Sequence, residues 1–259
     1  MYRANRIFLK ILLFFFILIN CSFAEEIKIP KQDWSFKGIT GKFDRASLQR
    51  GYQVYTEVCS SCHSMSLLSY RNLGEEGGPE FSVDQVKAIA ANFEVKDGPN
   101  DDGEMFTRPG RPSDKFVSPY PNVKASMAAN GGAYPPDMSV LVKARKGGAD
   151  YIYAVLIGYT EAPAGFELED GVYYNKYMDG NKIKMSNPLS DDIVTYVDGT
   201  KATEAQMAKD VTTFLTWAAE PHLETRHKLG FKVIIFLTIL SILVFLSMRR
   251  LWSRINPEE

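Results

Sequence analysis

The sequence predicts a mainly helical exported domain that is held to a membrane by one C-terminal transmembrane helix. Three observations lead to this fold class: an apolar segment of signal type at the N terminus, apolar residues at helical spacing in the domain, and a long apolar stretch near the C terminus. The chain has 259 residues. About 200 of them lie between the two apolar segments, which is enough for one domain with a proper core.

The N-terminal segment, residues 1–24, has the features of a secretory signal peptide. Basic residues precede an apolar core at residues 11–19, and a small-x-small cleavage site ends at Ala24. We therefore expect cleavage, with a mature chain that begins near Glu25 outside the cytoplasm. An uncleaved anchor is the alternative, but the apolar core is too short to span a bilayer and charged residues follow it at once.

The C-terminal apolar stretch, residues 231–248, is interrupted only by Lys232. As a helix it would reach about 27 Å, close to the thickness of a bilayer core. We expect a transmembrane helix here, with residues 221–230 as a juxtamembrane helix or linker and residues 249–259 as a cytoplasmic tail. The orientation rests mainly on the signal peptide, because basic residues flank the stretch on both sides. A buried core helix fits poorly with this length and these flanks.

Acidic residues fall almost entirely within the exported domain, residues 25–220. The formal net charge of the whole chain is −1, but the exported domain by itself is clearly acidic. This charge argues against nucleic acid as a partner. A basic protein partner and plain solubility both explain it.

Cys59, Cys62 and His63 form a C-x-x-C-H motif, the attachment signature of c-type haem. On one turn of chain the two thiols reach the two vinyl groups of haem, and the adjacent imidazole comes under the iron as first axial ligand. A zinc site would need about four ligands, yet the mature chain has no third cysteine, and His222 and His227 lie far away. A redox dithiol would require a βαβ context, whereas the flanks look helical. The motif therefore predicts one covalently bound haem.

Two helices frame the predicted haem domain. Residues 44–58 lead into the motif as a helix with Asp44 as N-cap. Far downstream, Thr203 and Gln206 form a capping box that opens a second helix, which ends near Pro221. A helix before the haem motif and a helix at the end of the domain are typical of the class I c-type cytochrome fold. We expect this mainly α fold, with long loop insertions between its first and last helices.

The second axial ligand is the residue that separates an electron carrier from a haem enzyme with an open iron. Methionine is the usual choice, because its soft thioether favours Fe(II). Met178 and Met185 both lie in the loop before the last domain helix. Position alone favours Met185 slightly, since Asn187 and Pro188 would stiffen the backbone beside it. Most methionines in the domain are otherwise expected to fill the core.

Several long segments of the chain resemble the cytochrome c1 family, whose members are the haem-c subunits of quinol–cytochrome c oxidoreductase, the cytochrome bc1 complex. The likeness covers nearly the whole mature chain, so it is far more specific than the C-x-x-C-H motif. The segments that carry it, besides the motif, are residues 50–55, 97–106, 108–110, 120–122, 130–139, 158–159, 208–211 and 214–221.

The resemblance implies roles for further residues. It identifies Met185 as the axial methionine, although the surrounding loop is poorer in proline than in the family and contains Met178 as well. It implies that Arg108 pairs with a haem propionate, which suits a planar guanidinium. Tyr120 and the Pro135-Pro136 turn would line the haem pocket. Without the resemblance, Arg108 would be taken for a solvated surface charge.

The resemblance also implies the function and the partners. We expect one-electron transfer from a Rieske iron-sulfur protein to a soluble or tethered cytochrome c, with the anchor beside cytochrome b in a homodimeric complex. The chain would be no enzyme by itself but an electron-transfer subunit. The expected location is a bacterial inner membrane with the haem domain in the periplasm. A subunit of a terminal oxidase, an anchored shuttle, a haem peroxidase and an interaction module without haem are the alternatives.

Acidic residues in two runs could form a docking face for a basic partner. An ordinary solvated surface explains them equally well. The candidates are Glu75, Glu76, Glu80, Asp84, Asp97, Asp101, Asp102 and Glu104.

Overall fold

The computed structural model describes residues 27–255. The predicted signal peptide, the predicted start at Glu25 and the end of the predicted tail lie outside the described residues. The helices are α1 (Arg45–Glu57), α2 (Val83–Ala91), α3 (Val123–Ala129), α4 (Gly148–Ile157), α5 (Glu204–Ala219) and α6 (Leu223–Ile255). The strands form two antiparallel pairs, β1 (Glu94–Asp97) with β2 (Phe106–Pro109) and β3 (Tyr173–Tyr174) with β4 (Lys182–Ile183). The mainly helical prediction is confirmed.

Helix α1 begins and packs as the sequence indicates. The Asp44 carboxylate accepts a hydrogen bond from the backbone N–H of Ala46 at 3.1 Å, which satisfies one of the free donors at the helix start. Leu48, Tyr52 and Tyr55 are buried on one face. The helix ends at Glu57, directly before a short 3-10 turn that carries the C-x-x-C-H motif.

Helix α5 has only half of its predicted capping box. The Thr203 hydroxyl accepts from the backbone N–H of Gln206 at 3.2 Å, as expected. The Gln206 side chain, however, does not return to the cap, because its amide donates to the buried Asp210 carboxylate at 2.9 Å. A buried charge needs that hydrogen bond more than an exposed helix end does. The second half of the box was therefore wrong.

Helices α1 and α5 cross at a close approach that only glycine permits. A Cβ atom added at Gly51 would lie 2.1 Å from the backbone oxygen of Asp210 and 2.7 Å from Cβ of Phe214. The fully buried Asp210 carboxylate accepts hydrogen bonds from Ser47 and Arg50 of α1 at the same crossing. Because a buried charge is tolerated only when it is paired, these contacts fix the two helices in one arrangement.

Aromatic side chains fill the space around this crossing. Tyr52 and Tyr55 of α1 meet Phe214 of α5 at centroid distances of 5.7 and 5.8 Å. Phe116 stacks on Tyr70 at 4.7 Å and so attaches the loop insertions to the same core. The core is thus built around helices α1 and α5, both of which the sequence predicts.

Helix α6 runs without a break from Leu223 to Ile255, across all three predicted segments of the C terminus. Its mean hydropathy reaches 2.7 in the most apolar window, and none of that window is buried. The helix is long and apolar enough to cross a membrane. The alternative of a buried core helix is excluded, because these side chains are exposed.

The first turns of α6 are fixed to the domain by charged side chains. The buried Glu224 carboxylate accepts two hydrogen bonds from the Arg45 guanidinium, at 2.7 and 2.9 Å, and one from the backbone N–H of Phe43 at 2.9 Å. Lys228, one turn later, pairs with Glu76 at 2.9 Å. These contacts hold the helix at a defined position on the domain.

Candidate functional site

A cavity of about 660 Å³ lies between the C-x-x-C-H turn, helix α4, helix α5 and two loops. One loop contains residues 130–141 and the other contains residues 178–188. The walls are mostly apolar, with Ile152, Val155 and Leu156 from α4 and Val211 and Leu215 from α5. A large, mainly apolar cavity with a few polar groups is the usual form of a cofactor site.

The C-x-x-C-H motif forms one wall of this cavity. The backbone N–H groups of Cys62 and His63 both donate to the Cys59 carbonyl, at 3.2 and 2.9 Å, so a tight turn brings the two thiols and the imidazole to the same wall. Burial raises the pKa of the Cys59 thiol to about 12. The Cys59 thiol is thus in a buried, mainly apolar environment.

The zinc alternative also lacks further ligands. Across residues 27–255, no group of three or more His, Cys, Asp and Glu side chains could hold a metal ion. His227 is far from the motif in sequence. It lies on α6, where its ring bonds to the Gly41 carbonyl.

His63 is held by a hydrogen bond from its ring to the opposite loop. Its Nδ1 donates to the Pro136 carbonyl at 2.8 Å, which leaves Nε2 as the free nitrogen for a metal. Burial lowers the pKa of the imidazole, outweighing the opposing effects of the Pro136 carbonyl and Asp137. This shift favours the neutral form of the ring, which is the form that an axial ligand requires. Pro135 and Pro136 line the cavity.

Asp137 fixes the loop that holds His63. One carboxylate oxygen accepts from the Ser64 hydroxyl at 2.8 Å and from the backbone N–H and hydroxyl of Ser66 at 2.9 and 2.7 Å. The other accepts from the backbone N–H of Ser139 at 2.8 Å. Burial disfavours the charged form, but the bonds from Ser139 and Ser66 prevail and lower the pKa to about 2. The carboxylate thus ties the motif to the Pro136 carbonyl.

Both candidate methionines line the cavity, but their surroundings differ. The Tyr151 hydroxyl donates to the Met178 sulfur at 3.1 Å, so this thioether already has a hydrogen-bond partner. At Met185 the tyrosine bond goes to the backbone: the Tyr159 hydroxyl donates to its carbonyl at 3.0 Å. This contact fixes the backbone at Met185 and does not engage its sulfur.

Arg108 and Tyr120, which the resemblance implies for the haem pocket, are not among the residues that line this cavity. Arg108 lies on β2, where its guanidinium donates to Asp97 and makes two bonds to Asp114. Its charge is thus already balanced by two carboxylates. Tyr120 is half-buried in the loop before α3. The pairing of Arg108 with a haem propionate and the place of Tyr120 in a haem pocket therefore stay predictions.

The cavity instead contains polar residues that the sequence interpretation missed. Arg145 and Lys184 are the basic residues of its described lining, which also contains Asn130 and Tyr151. Arg145 is exposed, just before the glycine pair that opens α4. An arginine next to a helix start has no distinctive sequence pattern, so only its position beside the cavity could reveal it.

These residues fit a covalently attached haem. Two thiols stand on one turn, an imidazole offers Nε2, Met185 offers a thioether, and mostly apolar walls surround them. Arg145 and Lys184 provide positive charge for carboxylate groups at the edge of such a cofactor. The donor set is therefore consistent with haem and poorly suited to zinc.

The sequence of this chain is similar to those of known proteins of one family. A profile described as the Cytochrome C1 family matches residues 34–255. "Cytochrome c1-2, heme protein, mitochondrial" of Solanum tuberosum is 51% identical over 234 residues, covering 90% of this chain and 88% of the relative. "Cytochrome c1" of Rhodospirillum rubrum is 47% identical over 246 residues, covering 89% of each.

A further relative is longer than this chain. "Cytochrome b/c1" of Bradyrhizobium diazoefficiens is 52% identical over 245 residues, covering 87% of this chain. The chain spans only 36% of the length of that relative.

The role of Asp137 can be tested with Asp137→Asn. We expect a loss of about 1–3 kcal/mol in the free energy of unfolding, because the amide cannot accept all the bonds that the carboxylate accepts. Denaturant unfolding of the haem-loaded chain measures this loss, and the absorption spectrum should show that His63 ligation fails at a lower denaturant concentration. Asp170→Asn, at an exposed carboxylate, is the control. Equal stability of the two variants would contradict the role.

Proposed function

This chain belongs to the cytochrome c1 family, and we propose that it is a membrane-anchored electron carrier with one haem bound to Cys59 and Cys62. The observation that carries the proposal is that the C-x-x-C-H turn and Met185 line the same cavity. His63 and Met185 are the proposed axial ligands. By itself the chain is not an enzyme but serves an oxidoreductase complex.

The bound haem would supply an iron that changes its oxidation state by one electron. The residues of the chain would prevent the iron from binding a substrate while it gains or loses that electron. Cys59 and Cys62 would tether the group, and His63, held by the Pro136 carbonyl, would bind the iron. Met185 would be the second protein ligand, which would leave no open position for a substrate. The apolar walls exclude water, which limits rearrangement between the two oxidation states.

We assign the pairing with a haem propionate to Arg145 instead of Arg108. Arg145 lines the cavity and is exposed, whereas the Arg108 guanidinium is bound by Asp97 and Asp114. A guanidinium at the edge of the site would hold a carboxylate by two parallel bonds. Its positive charge would also stabilise the reduced state of the haem, because that state carries one positive charge fewer.

The proposed setting is the cytochrome bc1 complex. Two relatives have names that support this setting, "Cytochrome b/c1" and, from Candida albicans, "Cytochrome b-c1 complex catalytic subunit, mitochondrial". The donor would be a Rieske iron-sulfur protein, the acceptor a cytochrome c, and the complex a homodimer. Helix α6 would lie beside cytochrome b and lipid in a bacterial inner membrane, with the haem domain in the periplasm.

The proposed acidic docking face is smaller than the sequence indicates. Several of its candidates are engaged in ion pairs: Glu76 with Lys228, Glu80 with Arg45, Asp84 with Lys87 and Asp97 with Arg108. Such pairing reduces the negative electrostatic potential that a basic partner protein would encounter. The exposed residues Asp101, Asp102 and Glu104, between β1 and β2, remain the best candidates for attracting a basic acceptor.

Replacing each methionine by leucine tests the proposed ligand set. Met185→Leu keeps a similar volume but removes the sulfur, so the reduced chain should bind carbon monoxide and its reduction potential should fall. The matched control is Met178→Leu, which should bind no carbon monoxide and keep the parent spectrum. Carbon monoxide difference spectra and redox titration provide the measurements. The reverse pattern would assign the ligand to Met178, and carbon monoxide binding by the parent chain would favour an enzyme.

Neutralising Arg145 tests its assignment to the propionate. Arg145→Gln should lower the reduction potential by tens of millivolts, since an interaction of about 1 kcal/mol corresponds to about 40 mV for one electron. Arg108→Gln removes the ion pairs with Asp97 and Asp114 and should leave the potential unchanged while it destabilises the β1–β2 hairpin. Redox titration of the two variants gives the comparison. A drop confined to Arg108→Gln would overturn the assignment.

A further inference from the structure

A compact loop at residues 35–42, called here the 35–42 loop, projects from the base of the domain. Its ends are joined by a hydrogen bond from the Lys42 backbone N–H to the Ser35 carbonyl at 3.0 Å. A turn at its tip is closed by a bond from Gly41 N–H to the Gly38 carbonyl at 3.3 Å, and Gly38 adopts a φ of 84°. Ile39, at this tip, is 87% exposed.

The base of the loop explains why the tip is rigid. Trp34 stacks on Phe36 at a centroid distance of 5.3 Å, and Phe36 lies 5.2 Å from Phe43. All three rings are buried in the core. The aromatic side chains before and after Ile39 are therefore buried, whereas Ile39 itself is exposed.

The 35–42 loop lies directly against the first two turns of α6. His227 Nδ1 donates to the Gly41 carbonyl at 3.3 Å. Next to the loop, the backbone N–H of Phe43 donates to Glu224 at 2.9 Å, and Arg45 holds the same carboxylate with two bonds. The height of the loop along the anchor helix is thus set by four hydrogen bonds.

This height places the loop near the membrane surface. The predicted apolar stretch begins at Phe231, four residues after His227, which is about 6 Å along the helix axis. The headgroup layer on each side of a bilayer is about 5–7 Å thick. Gly41, level with His227, therefore lies in that layer, and Ile39 is two residues away with a reach of about 7 Å.

We propose that the 35–42 loop is a second membrane contact of the domain, with Ile39 inserted at the boundary between lipid headgroups and acyl chains. A single exposed isoleucine needs no explanation elsewhere on a surface. At the level of the headgroup layer, however, the apolar environment available to Ile39 is lipid. Lys42 is exposed on the same loop and would face anionic headgroups. The inference depends on α6 crossing the membrane and is independent of the haem.

The loop has a functional consequence for orientation. A helix that crosses a bilayer can tilt, with values around 20° on average. One anchor alone leaves the attached domain free to follow that tilt, whereas a second contact beside the helix resists it. The 35–42 loop therefore helps to fix how the cavity is presented above the membrane.

Photo-crosslinking in native membranes tests the contact. Ile39 is replaced by p-benzoylphenylalanine in the full-length chain, the membranes are irradiated, and the purified chain is examined by mass spectrometry for lipid adducts. Val197, an apolar residue that is 95% exposed on the loop before α5, gives the matched negative control. Phe236, in the apolar stretch of α6, gives the positive control.

The expected result is a lipid adduct at positions 39 and 236 and none at position 197. An adduct at position 236 without one at position 39 would overturn the loop contact while leaving the anchor intact. Crosslinking of position 39 to another polypeptide instead of lipid would also overturn it. No lipid adduct at position 39, together with no adduct to lipid or to a membrane polypeptide at position 236, would refute both the contact and the membrane anchor. None of these outcomes depends on electron transfer, so the proposed function is judged separately.

Discussion

The hydrogen bond from His63 to the Pro136 carbonyl is the contact on which the rest of the site depends. It joins the turn after α1 to a loop more than 70 residues later, and it sets which ring nitrogen is free. Asp137 secures the same junction through three further bonds from Ser64 and Ser66. Without this junction the two thiols and the imidazole would still share a turn, but the loop at residues 130–141 would not be held across the cavity from them. The cavity therefore depends on both the motif and this loop.

The frame behind the site is equally constrained. Gly51 allows α1 to approach α5 closely, and the buried Asp210 is balanced by Arg50 at that crossing. Helix α5 also supplies one wall of the cavity and continues, after a short break, into the anchor helix α6. A rigid path thus leads from the motif to the membrane. Such rigidity suits a carrier, because electron transfer is fastest when little of the surroundings must move.

The sequence predicted features that depend on local chemistry. Asp44 and Thr203 as caps, the buried face of α1 and the long apolar helix were all readable from spacing and residue type. Contacts across the fold were not readable. Gln206 turns to Asp210 because tertiary packing buries a charge there, which a capping pattern cannot indicate.

The same distinction applies to the two arginines. Arg108 is matched through neighbouring sequence, and its ion pairs join it to Asp97 of β1 and to Asp114 in the loop after β2. Arg145 reaches the cavity because α4 packs beside it. A single sequence indicates which residues are charged and how they are spaced. Which of them lie beside the cavity depends on how the helices and loops pack.

Mass spectrometry of the digested chain tests the central claim most directly. The chain is purified from its membrane, denatured, treated with a thiol-alkylating reagent and cleaved. The account predicts that the peptide containing Cys59 and Cys62 has the added mass of one haem and takes up no alkylating reagent. The same peptide with two alkylated thiols and no haem, recovered from chain that conducts electrons, would contradict it.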